Sequence, residues 1–375
     1  MAVKHAVLSA SSSERWLNCP PSARLCEAYE DKSSNYAAEG TDAHALCEFR
    51  LKQALGIPAD NPIENLSWYN EEMEDCAAGY AAYVSELLET AKQTCADPVI
   101  LIEQRVDFSR WVQDGFGTAD CIVIADGVLN IVDYKHGKGV EVSAVDNPQM
   151  MLYALGALEI FDGIYDIDSV RMTIYQPRKS NISVCVMEKD ELLEWAQNDL
   201  IYKAKLAYEG GGDFHCGEWC RFCKAKAECR ERAEANLALA RYDFEEPPLL
   251  TDEEIAGILD KVDALTAWAT DVKEYALQQA VSGTAFPGWK LVEGRSNRKY
   301  TSEAAVAAAV EGAGFDPYEK KLLGITAMQK LLGKSRFEEL LALYIEKPQG
   351  RPTLVWSSDK RPEWNTAKND FMEEM

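Results

Sequence analysis

Two carboxylates and an ammonium group meet beside a tight turn near the middle of the sequence. Asp126 and Gly127 form a strong hairpin signal, since this pair favours a two-residue loop between antiparallel strands. In the register that such a loop sets, Asp120 lies directly opposite Asp133, with Cβ atoms ~5 Å apart. Lys135 follows Asp133 by two positions and therefore projects from the same face of the sheet. The hairpin thus predicts a cluster of two acids and one lysine.

This cluster predicts metal-assisted chemistry. Facing carboxylates destabilise a sheet, and a divalent cation relieves their repulsion. Mg²⁺ or Mn²⁺ binds through one or two carboxylates while keeping waters, activates a water and clamps phosphate oxygens. The ammonium of Lys135 can orient the nucleophile or stabilise developing charge, so the indicated reaction is phosphodiester hydrolysis. The alternative is an edge hairpin whose acids face water and whose lysine neutralises them.

Three further positions fit a site of this kind. Glu103 falls inside the apolar stretch before the hairpin, where an ionised carboxylate needs a partner such as a shared metal ion, Arg105 or a lysine. Gln149 and Tyr153 lie four apart on the helix predicted after the hairpin, so both project from one face. They either form a core-edge pair or hold a DNA backbone beside the site.

Four closely spaced cysteines predict a second metal centre. Their spacing is C-x3-C-x2-C-x5-C, and they are Cys216, Cys220, Cys223 and Cys229. Four thiolates hold either a tetrahedral zinc ion or an iron–sulfur cluster. Basic residues outnumber acidic ones around these cysteines, so Arg221 and Lys224 belong either to a phosphate-contact surface or to an ordinary solvated helix face.

These residues are expected on a mixed layer of strands and helices. Periodicity and turn signals predict a helix that carries His44, a long helix after Asn70, three antiparallel strands, a helix capped by Asn147, and two more strands. That order describes an α/β (α+β) fold with a mixed sheet flanked by helices. The C-terminal region is predicted to be mainly helical, with one short strand near 289–292. The predicted strands of the sheet are 99–106, 117–125, 128–135, 169–176 and 182–187.

The arrangement resembles the PD-(D/E)XK nuclease superfamily, in particular its RecB-like branch, which includes the AddB nuclease domain and CRISPR-associated RecB-like exonucleases. The match covers residues 9 to 235. Each motif is short, but the motifs follow one another in the order found in the family, which argues against coincidence. A departure is that Gly-Thr-Ala, and not a proline, precedes the first acid, a variation common in this branch. The matching motifs are Gly40-Thr41-x-x-His44, Glu103, Gly117-Thr118-Ala119-Asp120, Asp133-Tyr134-Lys135 and Gln149-x-x-x-Tyr153.

The resemblance implies a restriction-endonuclease-like core and a role for each motif residue. The implied catalytic residues are Asp120, Asp133, Lys135 and Glu103. The implied ligands of Mg²⁺ or Mn²⁺ are His44, Asp120, Asp133 and the carbonyl of Tyr134. The helix motif of this branch would be made by Gln149 and Tyr153, which would bind DNA.

The resemblance also bears on the cysteines. In RecB-like nucleases with an iron–sulfur staple, one cysteine precedes the nuclease core and three follow it with the spacing C-x2-C-x5-C. Cys220, Cys223 and Cys229 have this spacing, and Cys19, within Trp16-Leu-Asn-Cys-Pro, looks like the distant first ligand. This favours a [4Fe-4S] cluster in which Cys216 is a spectator. The local alternative is Zn²⁺ on Cys216, Cys220, Cys223 and Cys229.

Composition sets limits on partners and location. The 375 residues, of which 47% are apolar and 27% charged, suffice for two or three globular domains. The net charge of -23 repels polyphosphates, so DNA must be held by a local basic site or by metal ions. No apolar run reaches the ~20 residues of a membrane span, and the N-terminus has no hydrophobic signal core. We therefore expect no membrane partner and a cytoplasmic location, in the bacterial host if the protein is phage-encoded.

Together these features predict a metal-dependent DNA exonuclease. The expected regions are a RecB-like nuclease domain with the cysteine staple at 1–245, a helical accessory domain at 246–346 and an extended tail at 347–375. The chain as a whole resembles phage and prophage proteins of the superfamily, which implies a role in phage-type DNA recombination or end processing.

Two other functions remain open at the sequence level. One is a non-catalytic DNA-binding or assembly module of a recombination complex, and the other is an endonuclease of the same fold. The net acidity indicates weak unassisted DNA binding, which leaves room for a single-strand-binding or annealing protein as partner, or for a homo-oligomer.

Overall fold

The computed structural model describes residues 6–30, 35–239, 250–293, 300–319 and 321–346, together with residues 353, 355 and 359. The chain divides into two compact units, Met1–Leu291 and Val292–Met375. The predicted boundary at 245–246 falls outside the described residues, and so does nearly all of the predicted tail. Both stay predictions.

A five-stranded mixed sheet forms the centre of the first unit, as predicted. Its strands are β1 (Val99–Asp107), β2 (Phe116–Ala125), β3 (Val128–Tyr134), β4 (Ser169–Gln176) and β5 (Asn181–Glu188). They lie side by side in chain order. Neighbouring strands are antiparallel except for the β3–β4 pair, which is parallel and therefore needs a crossover connection. The α/β fold class is confirmed.

Helices flank the sheet and make up the second unit. In the first unit they are α1 (Ser13–Asn18), α2 (Ser22–Glu27), α3 (Asn35–Ala54), α4 (Glu71–Ala91), α5 (Pro148–Tyr165), α6 (Lys189–Trp195), α7 (Ile201–Glu209), α8 (Arg230–Leu237) and α9 (Asp252–Val281). In the second unit they are α10 (Glu303–Gly312), α11 (Ile325–Leu332) and α12 (Lys334–Leu341). Short 3-10 segments lie at Ala10–Ser12, Ile63–Asn65, Pro177–Lys179, Glu218–Phe222 and Ala342–Tyr344, and a π-helical turn lies at Ala196–Leu200.

The core lies on both faces of the sheet. On one face, Ile122, Ile131 and Ile174 pack against α5, which is apolar around most of its circumference and therefore buried. On the other face, Val123 and Val132 pack against α3 and α4. The sheet is thus the middle of three layers, and residues of alternating parity along β2 and β3 point to different helix layers.

The predicted hairpin is confirmed in loop and register. Asp126 and Gly127 have φ angles of 48° and 72°, the left-handed values that a type I′ turn requires. Ala125 pairs with Val128, and the ladder continues to the pair Cys121–Val132. The next residues on the two strands are the two aspartates that the sequence placed face to face.

The predicted helix start at Asn147 is confirmed by its cap. The Asn147 side chain accepts hydrogen bonds from the backbone N–H groups of Gln149 and Met150, at 3.1 and 3.2 Å. Thr251 and Glu254 form a reciprocal capping box at the start of α9.

The short strand predicted near 289–292 is wrong: the structure has no strand there, and the Trp289 side chain is 84% exposed. None of its residues takes part in the strand pairings of the described sheet.

The second unit is helical. Ser302 caps α10 by accepting a hydrogen bond from the backbone N–H of Ala305. Phe337 of α12 is buried, while the apolar residues of α10 and α11 that the structure describes are half-buried or exposed. In the part of the chain that the structure describes, no helix has both the length and the apolar character to cross a bilayer.

Candidate active site

One imidazole and two carboxylates converge beside the hairpin. A nitrogen of His44 and carboxylate oxygens of Glu103 and Asp120 all lie within 4.8 Å of one another. Among the described residues, this is the one group of three or more histidine, cysteine, aspartate or glutamate side chains with such spacing. The three residues come from α3, β1 and β2, so the fold assembles them across elements. They could hold a metal ion.

Asp120 is fixed by both of its carboxylate oxygens. Its Oδ2 accepts a hydrogen bond of 2.7 Å from the backbone N–H of Tyr134, and its Oδ1 lies 3.3 Å from Nδ1 of His44. Burial disfavours the charged imidazolium, but the carboxylates of Asp120 and Asp133 outweigh burial and raise the pKa of His44. The carboxylates around His44 therefore favour a positive charge at this position.

Glu103 adopts an unusual backbone conformation for a strand residue. Its φ is 52°, and the β1–β2 ladder skips it between the pairs Ile102–Cys121 and Gln104–Ala119. A non-glycine residue in this left-handed region costs of the order of 1–3 kcal/mol and is found most often at functional sites. Burial, helped by the charge of Asp120, raises the pKa of the Glu103 carboxyl to about 7. The local distortion thus turns a strand residue towards a site that holds other acids.

Asp133 and Lys135 form a buried ion pair next to this group. The Lys135 Nζ lies 2.8 Å from Oδ2 of Asp133, whose side chain is 3% exposed. Burial raises the pKa of Asp133, and the Lys135 charge only partly offsets it. The contact therefore joins a buried carboxylate to an ammonium group through Oδ2 of Asp133.

Gln149 ties the helix to the ion pair. Its Oε1 accepts a hydrogen bond of 3.0 Å from Lys135 Nζ, and its Nε2 donates to Asp133 Oδ1 at 3.3 Å and to the Tyr153 hydroxyl at 3.1 Å. The Tyr153 ring covers Gly117, where an added Cβ would lie 2.6 Å from ring carbon Cε1. The glycine of the Gly-Thr-Ala-Asp motif is therefore required for this close approach. Gln149 and Tyr153 share one face of α5, as predicted.

The arrangement differs in one respect from the predicted ligand set. His44 and Asp120 lie together as predicted. The third side chain with a ligand atom within 4.8 Å of both is Glu103, while Asp133 forms an ion pair with Lys135. Tyr134 reaches the site through its N–H group, while its carbonyl as a ligand stays a prediction. The sequence analysis named Glu103 as catalytic, with a shared metal ion, Arg105 or a lysine as its partner, but did not count it among the metal ligands.

The four cysteines of the iron–sulfur prediction line one cavity. This cavity lies between the end of α1, the segment before α8 and the start of α8, and its cysteines are Cys19, Cys220, Cys223 and Cys229. Three basic side chains, Arg15, Lys226 and Arg232, line it as well. Cys216 does not line the cavity.

The sulfur atoms do not form a single-ion site. Zn–S bonds of ~2.3 Å in a tetrahedron would place four sulfurs within ~4 Å of one another. No three of the cysteine sulfurs in the described ranges meet this kind of spacing. Cys26 is buried, with its sulfur 3.7 Å from that of Cys223.

The basic residues near the cysteines are largely engaged with acids. Arg221 forms an ion pair with Glu218, and Lys224 Nζ donates to the Tyr29 carbonyl at 3.3 Å. Their neighbours Lys226 and Arg232 both bind Asp271 of α9. Ion pairs within the fold thus reduce the positive charge that this surface offers to a nucleic acid. DNA binding by Arg221 and Lys224 stays a prediction.

Sequence analysis missed a buried polar cluster on the reverse side of the hairpin. Glu39, His136 and Arg178 meet there, although they are far apart in sequence. A weak signal existed, because Glu39 precedes the Gly40 motif and His136 follows Lys135 directly. Nothing in the sequence indicated that Arg178 joins them.

A family model described as "Protein of unknown function (DUF2800)" matches residues 5–362. The chain therefore belongs to this family. A solved structure titled "Crystal structure of SSO0001" is similar at 14% sequence identity, over 50% of this chain and 94% of that chain, with a TM-score of 0.23.

Proposed function

We propose that the protein is a divalent-metal-dependent deoxyribonuclease of the RecB-like PD-(D/E)XK type, and that it acts as an exonuclease. The observation that carries the proposal is the convergence of His44, Glu103 and Asp120 beside the Asp133–Lys135 ion pair. Imidazole and carboxylate ligands with room for water suit Mn²⁺ or Mg²⁺ in a phosphate-cleaving site.

The donor set fits such an ion. Two carboxylates within 4.8 Å of each other and of His44 repel one another unless a cation or a proton intervenes. The raised pKa of Glu103, about 7, reflects this repulsion together with burial. The buried carboxylate of Asp133, which contacts Lys135 through Oδ2, is a further acidic group near the site.

The residues around the ion would divide the work of hydrolysis. When bound, Mg²⁺ or Mn²⁺ supplies an activated water and neutralises charge on the phosphate oxygens. Burial disfavours the Lys135 ammonium, but Asp133 outweighs it and raises the lysine pKa, so Lys135 keeps its proton. Lys135 therefore acts as a hydrogen-bond donor that stabilises negative charge, and not as a base.

Gln149 and Tyr153 would position this machinery and the DNA backbone. Gln149 contacts both members of the ion pair and also Tyr153, so it holds the lysine against Asp133. Departure of the 3′-oxygen would leave a 5′-phosphate on the product. A role in phage-type recombination or end processing, in the cytoplasm of a bacterial host, belongs to the same proposal and is supported by the sequence resemblance alone.

Digestion of end-labelled DNA tests the proposal. With Mg²⁺ or Mn²⁺ the protein should release 5′-phosphorylated products from linear DNA, and EDTA should stop the release. Closed circular DNA should resist digestion, since an exonuclease needs an end. Cleaved circles would replace the exonuclease by an endonuclease. Failure to hydrolyse any DNA with either metal would refute the nuclease, and a DNA-binding or assembly module would take its place.

We also propose that Cys19, Cys220, Cys223 and Cys229 hold a [4Fe-4S] cluster. Their common cavity supports this set, and the position of Cys216 outside it argues against zinc on the local four. A four-iron cube separates its ligand sulfurs more widely than a single ion does. Basic groups that line the cavity can balance thiolate charge. The cluster would tie α1 to α8 and serve structure.

Iron analysis of anaerobically purified variants tests the cluster. Wild type and Cys216→Ser should be brown and carry iron, while Cys19→Ser and Cys223→Ser should lose iron and melt at a lower temperature. Cys216→Ser is the matched control because it removes a nearby thiol that does not line the cavity. A colourless protein loaded with zinc would overturn the cluster and leave the nuclease proposal standing.

A further inference from the structure

A chain of buried polar contacts runs behind the candidate metal site. Tyr134 alternates with Asp133 and Lys135 along the chain and therefore points to the opposite face, where it packs in the core between the sheet and α3 and α4. Its hydroxyl lies 2.8 Å from Nδ1 of His136, whose residue is 5% exposed. These two side chains lead away from the metal site towards α3.

The series of polar contacts continues to an ion pair between α3 and the segment after β4. His136 Nε2 lies 3.4 Å from Oε1 of Glu39, and the same oxygen accepts a hydrogen bond of 2.8 Å from Arg178. Each ring nitrogen of His136 thus faces one polar partner, the Tyr134 hydroxyl at Nδ1 and the Glu39 carboxylate at Nε2.

Arg178 is held here at an energetic cost. Its side chain is 10% exposed, and its two Nη atoms bind Glu39 of α3 and Glu72 of α4, while its Nε has no hydrogen-bond partner among the described residues. An incompletely satisfied buried guanidinium is rare in proteins and calls for an explanation. Core packing alone does not supply one, since an apolar side chain would fill this space without a desolvation penalty.

Tyr134, the first residue of this series of contacts, contacts both His44 and Asp120. The backbone N–H of Tyr134 donates to Asp120, and the Tyr134 ring meets the His44 ring edge-on, with centroids 5.5 Å apart. Glu39 lies on α3, the helix that carries His44. A shift of Glu39 or of the Tyr134 ring would therefore move the imidazole relative to the carboxylate.

We propose that Glu39, His136 and Arg178 are positioning residues that set the affinity of the His44–Glu103–Asp120 group for a divalent cation. Arg178 holds Glu39, Glu39 and the Tyr134 hydroxyl fix His136, and Tyr134 presents its ring to His44 and its N–H to Asp120. The inference rests on the proposed function, since it concerns the same metal site. Loss of such supporting contacts around a metal site typically weakens metal binding 10–100-fold.

Titration of Mn²⁺, followed by electron paramagnetic resonance, tests this inference without an activity assay. We expect Glu39→Gln, which keeps the side-chain shape, and Arg178→Gln to weaken Mn²⁺ binding by about 10-fold or more. Arg178→Lys, which keeps a cation near Glu39, should recover part of the affinity. Thermal melting of each variant ensures that the titration is run on folded protein.

Arg50→Gln is the matched control. Arg50 forms an ion pair of 2.6 Å with Glu74 that also joins α3 to α4, but it has no described contact with Tyr134, His136 or His44. This variant should lose stability comparable to Arg178→Gln and keep the wild-type affinity for Mn²⁺. A purely structural role of Arg178 would give the two variants the same affinity.

The outcomes separate the inference from the proposed function. Wild-type protein that fails to bind Mn²⁺ would refute the proposed metal site itself. Wild-type protein that binds Mn²⁺, together with Glu39→Gln and Arg178→Gln variants of unchanged affinity, would overturn the positioning network and leave the metal site intact.

Discussion

Among single residues, Lys135 is expected to act in the reaction without binding the metal ion. It pairs with Asp133 and hydrogen-bonds to Gln149, but it does not belong to the His44–Glu103–Asp120 group. An ammonium in this place stabilises negative charge in the transition state, and preorganised donors of this kind are typically worth 10²–10³-fold in rate.

We therefore expect Lys135→Ala to lower the rate of Mn²⁺-dependent DNA hydrolysis at least ~100-fold while Mn²⁺ still binds. Hydrolysis rates and Mn²⁺ titrations of the same preparation measure the two effects. Lys92→Ala is the control, since Lys92 pairs with exposed Glu89 at the end of α4 and should leave the rate unchanged. A Lys135→Ala enzyme with wild-type rates would exclude the lysine from the chemistry.

Glu103 gives the metal-free protein a characteristic pH dependence. Burial first, then the charge of Asp120, raises the pKa of this carboxyl from its usual 4.5 to about 7. Between these values the folded state holds a proton on Glu103 that the unfolded chain has lost. The folded state thus binds more protons, so its stability falls as pH rises through this window.

We expect the melting temperature of wild type in EDTA to fall, relative to that of Glu103→Gln, between about pH 5 and pH 7. The glutamine cannot titrate, so the difference between the two curves isolates this carboxyl from the other groups of the chain. Mn²⁺ should raise the melting temperature of wild type at pH 7 by relieving the same repulsion. Parallel curves would mean that the Glu103 carboxyl is not buried among acids.

Residue types revealed part of the site, and backbone geometry supplied the rest. Asp120, Asp133 and Lys135 follow from one turn and one register, which the sequence encodes locally. The positive φ of Glu103 depends on how two strands meet, and the contact between Glu39 and Arg178 depends on tertiary packing. Neither has a local signature, so sequence reasoning could not place them.

The hairpin is the element on which the positions of Asp120 and Asp133 depend. Gly127 has a φ of 72°, and an added Cβ would lie 2.7 Å from Oδ2 of Asp168. Any other residue there meets both backbone strain and a steric contact. A change in loop geometry would also shift the register by which the two aspartates face each other.

We expect Gly127→Ala to lower the free energy of unfolding by about 1–2 kcal/mol, measured by urea denaturation. Gly163→Ala is the control, because Gly163 lies in α5 and an added Cβ there meets no atom within 4 Å. That change should leave stability unchanged or raise it slightly, since alanine favours a helix. If both changes altered the free energy of unfolding equally, the hairpin loop would not require a glycine at position 127.

The elements themselves were largely predictable. All five strands of the sheet and the helices after Asn70 and Asn147 follow from periodicity, capping residues and turn signals. The helix predicted to carry His44 is α3, Asn35–Ala54. The strand predicted near 289–292 failed because strand formation there would need a pairing partner.

At the scale of the whole molecule, the candidate site lies within the first unit. Residues 1–291 contain the His44–Glu103–Asp120 group and the Asp133–Lys135 ion pair. They also contain the cavity lined by four cysteines and the contacts of Glu39 with His136 and Arg178. A chain with a net charge of -23 repels DNA at a distance, so short-range contacts and bound cations must bring the substrate in.

We expect a chain that ends at Leu291 to fold and to bind Mn²⁺ within about threefold of the full-length affinity, because the unit has its own core. Circular dichroism and the Mn²⁺ titration check the two parts. A truncated chain that folds but binds Mn²⁺ more than tenfold weaker would show that the second unit completes the site.

Comparison of DNA digestion by wild type and Asp133→Asn tests the central claim most directly. Both proteins are purified anaerobically and mixed with end-labelled linear DNA and Mn²⁺, and the release of 5′-phosphorylated products is followed. We expect release by wild type that EDTA abolishes, and none above background by the folded variant. Release at the wild-type rate by Asp133→Asn, or an inert wild type, would contradict the proposed nuclease site.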